Sequence, residues 1–380
     1  MVKMKQGDRP LLILAVLLNL SFLGTLLQID SISSLCFYCS FFVVFWLFFR
    51  KIYTTGKLYW QWIFLLGLML LSLIVSGLKS DFEYYKRFII TVMVFVCFEM
   101  APLYCISEKT KQRILLIFAL SGLICEYMYY LGGLRTSYFS ATNSIALNFP
   151  NPNAAAIWLC GLFVTLLFSN RVFANLKLQI LILLIAALLI PIVWATESRN
   201  VMLACIVGIA WYVFNLFVKN CLPKWVIVVF VFLPAVIFFL YMYTYMPYQE
   251  FWEEALSFLT LGEGKTLGSR GRVWTYVQND LSRCFLLGDY AMYHDEQMHN
   301  SLMTLYCMFG GATTLLICLL MVRNLIKIRA THSTAAVSAL CTILFTGCFE
   351  ASIFVGIAGA YLFILLTPVV CNQAFFKKRQ

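Results

Sequence analysis

Long apolar runs separated by short polar turns cover most of the chain, each close to the roughly 20 residues a helix needs to cross a bilayer's hydrocarbon. About twelve such runs can be read, centred on 11–27, 35–49, 58–78, 88–106, 114–133, 154–169, 176–194, 200–218, 224–243, 301–321, 334–350 and 351–370. The runs at 35–49 and 154–169 are short, and only the Glu350 region divides the last two. The pattern predicts one all-α polytopic membrane domain over 1–380, with about 12 transmembrane helices.

The one long interruption runs from Thr244 to Asn300. Its first part has helical spacing: Tyr248, Phe251, Trp252, Ala255, Leu256 and Leu259 make an apolar stripe, with Gln249, Glu250, Glu253, Glu254 and Ser257 opposite. A glycine-rich turn follows at Leu261–Gly268. A second helix is expected from about Arg270 to Phe285, with Val273, Trp274, Val277 and Leu281 as its stripe. Such helices would lie along the membrane surface and roof a cavity between the spans. A solvated face packing on the bundle explains the stripes equally well. Leu134–Asn153 is the other long connector.

Composition supports the membrane reading: 62% of residues are hydrophobic, 12% are charged and the mean hydropathy is +0.86. The net charge of +11 raises the question of nucleic acid, and its placement answers it. With a cytoplasmic N-terminus, 19 of the 28 basic residues fall in inner turns, among them Lys109, Lys111, Arg113, Arg171, Lys177, Arg323, Lys327 and Arg329. This is the positive-inside pattern. It puts both termini in the cytoplasm and Thr244–Asn300 outside, and it leaves no nucleic-acid footprint. The first apolar run follows Lys3, Lys5 and Arg9 without a small-residue cleavage site, so a retained anchor is expected. Most of the 14 cysteines lie within apolar runs and read as small hydrophobes. Cys36-x-x-Cys39 reads as packing, or on spacing alone as a redox or metal pair. No repeat relates the first six runs to the last six, which counts against a secondary transporter.

The outward basic residues are the ones topology leaves unexplained. Lys79, Lys86 and Arg87 sit beside Asp81 and Glu83 as a self-paired loop. Arg135, Arg199, Lys265, Arg270, Arg272 and Arg283 remain. Arg199, at the lip of a span, either snorkels and pairs with Glu197 or helps form an anion site, where a guanidinium fork matches phosphate oxygens. The long loop holds eight acids against four bases, so a discrete arginine site is a better use of Arg270 and Arg272 than general attraction to anionic headgroups. His299 stands where the loop re-enters the membrane. It is either a structural histidine or a base able to take a proton from a hydroxyl. If the backbone there is helical, Asp295 and Glu296 could orient its ring. Gly262–Thr266 resembles a phosphate loop only in part, because Leu259 stands where its first glycine belongs. Three scattered histidines do not make a metal site.

Four short motifs, in order, resemble those of the O-antigen ligase and O-antigen/capsular polysaccharide polymerase superfamily of bacterial membrane glycosyltransferases. They are Asn148-Phe-Pro-Asn-Pro-Asn153, Glu197-Ser198-Arg199, Arg270-x-x-x-Trp274 followed by Gly288, and Met298-His299-Asn300-Ser301 with Gly310-Gly311 beyond. The resemblance implies a GT-C-like, metal-independent, inverting enzyme without a cofactor, in the bacterial plasma membrane with its site on the outer face. It implies transfer of a glycan from an undecaprenyl-diphosphate carrier to a sugar hydroxyl, with polysaccharide assembly proteins as further partners. Carried over, Arg199 and Arg270 would bind the diphosphate and His299 would contact or deprotonate the acceptor. Asn153 and Asn300 fall within the motifs as substrate-binding positions. Arg272 joins by proximity, and Arg135 as a further outward cation. A polymerase is favoured because polymerases serve O-antigen and capsule pathways of both Gram types. Ligation to a lipid A–core acceptor is the alternative, and a flippase or other polysaccharide transporter the second.

The topology is checked by Ser257→Cys and Lys327→Cys in a background without accessible thiols: only the first should react with an impermeant maleimide in sealed cells. Labelling at 327 would invert or break the topology.

Overall fold

A computed structural model describes residues 8–55, 60–75, 82–100, 107–132, 144–149, 151–218, 222–248, 281–289, 299–331 and 334–350, with residues 251, 273–275, 277, 278 and 354. Helix α1 spans Asp8–Leu26, α2 Asp30–Thr55, α3 Trp60–Val75, α4 Phe82–Met100, α5 Glu108–Tyr130 and α6 Pro152–Ser169. Then come α7 at Leu176–Ala195, α8 at Arg199–Phe217, α9 at Lys224–Leu240, α10 at Ser301–Phe309, α11 at Gly311–Thr331 and α12 at Thr334–Thr346. The chain is a polytopic membrane protein whose elements, among the described residues, are all helices. Among the described residues, 8 helical stretches are long and apolar enough to cross a membrane, and Ile63–Val75, Arg87–Val96 and Ala336–Thr346 are shorter apolar helices. The apolar run at 351–370 lies outside the described residues except for Phe354.

The core is built around α6, whose Pro152–Val172 stretch is 83% buried. Helices α5, α7, α8 and α12 all pack on it. Trp158 of α6 stacks on Phe22 of α1 with ring centroids 4.2 Å apart. With almost no polar face, α6 has nothing to offer solvent, and the surrounding helices take up its apolar surface. Helices α8 and α12 are joined along their length. Asn215 Nδ2 donates to Ser338 Oγ at 3.1 Å, Gly208 admits Thr342, and Asn200 Nδ2 donates to the Thr346 carbonyl at 2.7 Å. Polar side chains are costly among apolar helices unless paired, so these contacts set the register of the two helices. Gln112 donates to the Val172 carbonyl and Arg329 to the Leu222 carbonyl.

Three expected boundaries change, one of them the start of the long loop, since the apolar helical stretch from Lys224 runs past Thr244 to Tyr248. The short run at 35–49 belongs to the 26-residue helix α2, whose polar ends extend a normal span. Gly24 lets the turn before it close, since a Cβ there would sit 2.8 Å from the Ser33 nitrogen. The expected span 301–321 is two helices. Gly310 breaks it at φ 85°, its N–H still bonded to the Tyr306 carbonyl, and the span begins afresh at Gly311. Freed backbone groups in apolar surroundings must find partners. The segment 281–289 supplies them: Gly311 N–H donates to the Phe285 carbonyl at 3.0 Å, and the Tyr306 hydroxyl to the Leu281 carbonyl at 2.6 Å. The approach is backbone on backbone. A Cβ on Gly288 would lie 2.2 Å from Met308 main-chain atoms, and one on Gly310 2.4 Å from the Leu286 oxygen.

Gly310→Ala should therefore destabilise the purified protein by about 1–3 kcal/mol, from a left-handed backbone and a main-chain clash. Gly67→Ala, in α3 with nothing within 4 Å, should be neutral or up to about 1 kcal/mol stabilising. Thermal unfolding in detergent reads both, and equal midpoints for the two variants would refute the cradle.

Candidate functional site

Helix α7 ends at Ala195, and Thr196 caps the turn by donating from Oγ1 to the Val193 carbonyl at 2.6 Å. Glu197 is exposed and left-handed at φ 54°. Ser198 is buried, and Arg199 begins α8 half-buried. The next residue, Asn200, is tied to Thr346 as described. The start of α8 is thereby held to the end of α12.

A second junction has the same construction. His299 is left-handed at φ 45°, and Asn300 then caps α10, its Oδ1 accepting from Met303 N–H at 3.1 Å. Asn300 Nδ2 donates to the Pro234 carbonyl at 2.7 Å and the Cys348 carbonyl at 3.0 Å, and the residue is 0% exposed. Both amide N–H groups are thus engaged within the fold. Pro234 lies well inside the apolar stretch Lys224–Tyr248, so the chain re-enters beside the body of that helix rather than at its end. Ser301 N–H donates to the Gly347 carbonyl at 2.9 Å, and its hydroxyl to the Glu350 carbonyl.

Arg199 and His299 thus each precede an asparagine that donates to the same turn, Thr346–Glu350. The carboxylate at the histidine comes from that turn: Glu350 Oε2 lies 3.8 Å from His299 Nδ1, with side-chain exposures of 7% and 32%. Asp295 and Glu296, the expected orienting acids, lie outside the described residues. Sequence reading missed Glu350; an ionisable residue between two apolar runs was the available signal.

The third junction is at 144–153. Ile145 N–H donates to the Ala195 carbonyl at 2.9 Å, just before the Glu197 turn. Leu147 and Asn148 are left-handed at φ 46° and 60°, and Asn148 Nδ2 donates to the Leu26 carbonyl at 2.7 Å. Asn151 caps α6 by accepting from Ala154 N–H at 2.8 Å, with Pro152 in the first turn. Asn153 is half-buried in that turn. Among the described residues, the left-handed non-glycine positions are Gln28, Leu147, Asn148, Glu197 and His299. Leu147 and Asn148 stand before α6, Glu197 before α8, His299 before α10, and Gln28 likewise before α2. Strain of this kind costs on the order of 1–3 kcal/mol per residue and persists where the surroundings enforce it. The helix starts carry the positive end of a dipole, which suits an anion.

Trp274 connects the long loop to this turn. It is 0% exposed and packs on Phe238, Tyr241 and Phe349 at centroid distances of 5.4, 4.8 and 6.4 Å, and Phe349 adjoins Glu350. Val273 and Val277 are buried with it. Arg270, Arg272 and Arg135 lie outside the described residues, as does most of the first loop stripe. Arg283 pairs with Asp289 at 3.7 Å and is largely exposed. Cys284 meets Cys307 of α10, and that thiol's hydrogen bond lowers Cys284 from the usual thiol range. A groove of about 510 Å³ beside Val75, Arg283 and Asp289 is lined by none of Arg199, His299 or Glu350, and its two charges pair with each other. Cys36 and Cys39 are free thiols on α2, Cys36 buried. Among the described residues no three His, Cys, Asp or Glu side chains gather as a metal site. No family model, curated protein or solved structure matches the chain.

Asn300→Ala should lower stability by about 1–3 kcal/mol, losing a helix cap and two buried donors. Asn300→Asp keeps the cap acceptor but turns a carboxylate toward two carbonyls, and should be no better than Ala. A wild-type unfolding midpoint for Asn300→Asp would mean the two donated bonds hold nothing.

Proposed function

We propose that this chain is a bacterial membrane glycosyltransferase of the O-antigen/capsular polysaccharide polymerase type, taking glycan from an undecaprenyl-diphosphate donor on the outer face of the plasma membrane. The observation that carries the reading is the tethering of Asn200 and Asn300, the neighbours of Arg199 and His299, to the turn Thr346–Glu350, with Glu350 beside His299. A half-buried guanidinium at a helix start suits a diphosphate, and a partly exposed imidazole on a strained residue suits a hydroxyl. Backbone strain at the helix starts supports the same segments independently of the motif resemblance.

In the reaction, the acceptor hydroxyl forms a bond to the anomeric carbon of the donor sugar as the bond to diphosphate breaks on the opposite face. His299 takes the hydroxyl proton. Arg199 and Arg270 stabilise the charge gathering on the departing diphosphate. Arg135 and Arg272 are further outward cations for the lipid-linked oligosaccharide, and Asn153 lies at the start of α6. In a ligase the same steps would deliver the glycan to a lipid A–core acceptor. Transport is the second reading, favoured by the broken α10–α11 segment and by Glu126. That carboxyl is 6% exposed within the α5 span, and its Oε1 has no hydrogen-bond partner.

Purified protein given only the undecaprenyl-linked repeat unit in detergent should lengthen it, with no gradient or nucleotide. Movement across a vesicle without new glycosidic bonds would favour transport, and transfer only to lipid A–core would favour ligation. Arg199→Lys and Arg270→Lys should impair turnover by losing the bidentate fork, and the alanine variants should also weaken donor binding. His299→Ala should spare donor binding and cut the rate by about 10²–10⁴-fold. Arg283→Ala, in an exposed ion pair, should be near neutral. Full activity in well-expressed His299→Ala would remove the base and leave the arginines alone.

A further inference from the structure

A carboxylate between two apolar runs is expensive unless something holds and uses it. Glu350 is such a group, with its side chain 7% exposed. Its position does not depend on the reach of a flexible side chain. Asn300 donates to the Cys348 carbonyl, Ser301 N–H to the Gly347 carbonyl and Ser301 Oγ to the Glu350 carbonyl. Three hydrogen bonds therefore join the turn that bears Glu350 to the two residues that follow His299. The left-handed backbone at His299 is part of the same junction.

The contact falls on a particular ring nitrogen. Oε2 of Glu350 faces Nδ1 at 3.8 Å, longer than a hydrogen bond and short enough to close with a small ring movement, as such contacts do when substrate binds. A neutral imidazole carries one N–H, and the partner of one nitrogen decides which tautomer is present. A carboxylate at Nδ1 draws the N–H to that side and leaves the Nε2 lone pair free.

We propose that Glu350 is the positioning residue for His299, holding Nδ1–H so that Nε2 faces the acceptor hydroxyl. This rests on the glycosyl-transfer reading for its use, while the pairing itself can be read without any reaction. Asn200, next to Arg199 at the start of α8, is tied to the same turn.

The first measurement is the His299 tautomer. Protein labelled with ¹⁵N-histidine, in nanodiscs at about pH 8, is read by solid-state NMR, with His299→Ala identifying the signal among the three histidines. Wild type should show Nδ1–H, and Glu350→Gln should shift the population toward Nε2–H with an unchanged unfolding midpoint. An Nε2–H or doubly protonated ring in wild type overturns the proposal, as does a tautomer indifferent to Glu350→Gln. The second measurement is kinetic. Glu350→Gln should lower kcat by about 10²-fold, the lower range of what a general base contributes, with donor KM unchanged. Glu350→Asp, which keeps the charge, should recover part of the rate. Equal losses in kcat, KM and thermal stability would mark a merely structural residue and overturn the proposal. If wild-type protein lengthens nothing while the tautomer behaves as expected, the glycosyl-transfer reading fails and the pairing stands.

Discussion

The Asn300 amide is the contact on which the arrangement depends most. One buried side chain caps α10, takes a carbonyl from within α9 and takes another from the turn after α12. Among apolar helices the hydrophobic effect says little about who sits next to whom, because hydrocarbon against hydrocarbon is indifferent to register. A polar group with all its valences used is not indifferent. Moved by one turn, it would leave its own amide unsatisfied where no water can help. Asn200 links α8 to the end of α12 through a single side-chain bond, from Nδ2 to the Thr346 carbonyl. These two asparagines tie the starts of α8 and α10, beside Arg199 and His299, to the one turn that carries Glu350.

Much of the architecture was legible as sequence. Run lengths, the basic clusters of α5 and α11, and the loop stripe of Val273, Trp274 and Val277 follow from hydropathy and helical period, which are local properties. The break at Gly310 was not legible. Two glycines inside an apolar run look like ordinary small residues until another segment lies against them, and that segment, Phe285–Gly288, is remote in the chain. The site divides the same way. Arg199 and His299 were readable from charge and placement. Glu350 was not, because its relation to His299 arises only after α11 and α12 return the chain to the same level.

Strain and side-chain capping occur together at the starts of α6 and α10, and strain without a side-chain cap at α8. Left-handed Asn148, Glu197 and His299 are followed within a few residues by Asn151, Ser198 and Asn300. A left-handed residue turns the chain sharply into the helix that follows. That geometry is unfavourable for folding alone and useful where a helix start must face a ligand.

The asparagine bonds to the turn all end on main-chain oxygens, those of Thr346 and Cys348, and Ser301 adds those of Gly347 and Glu350. No side chain at 346–348 is needed to make them. The support of the site is therefore written in backbone, and those residues are free to drift under packing pressure alone while the geometry stays put. A comparison that scores residue identities would pass over the part of the molecule that does most to keep the site in place.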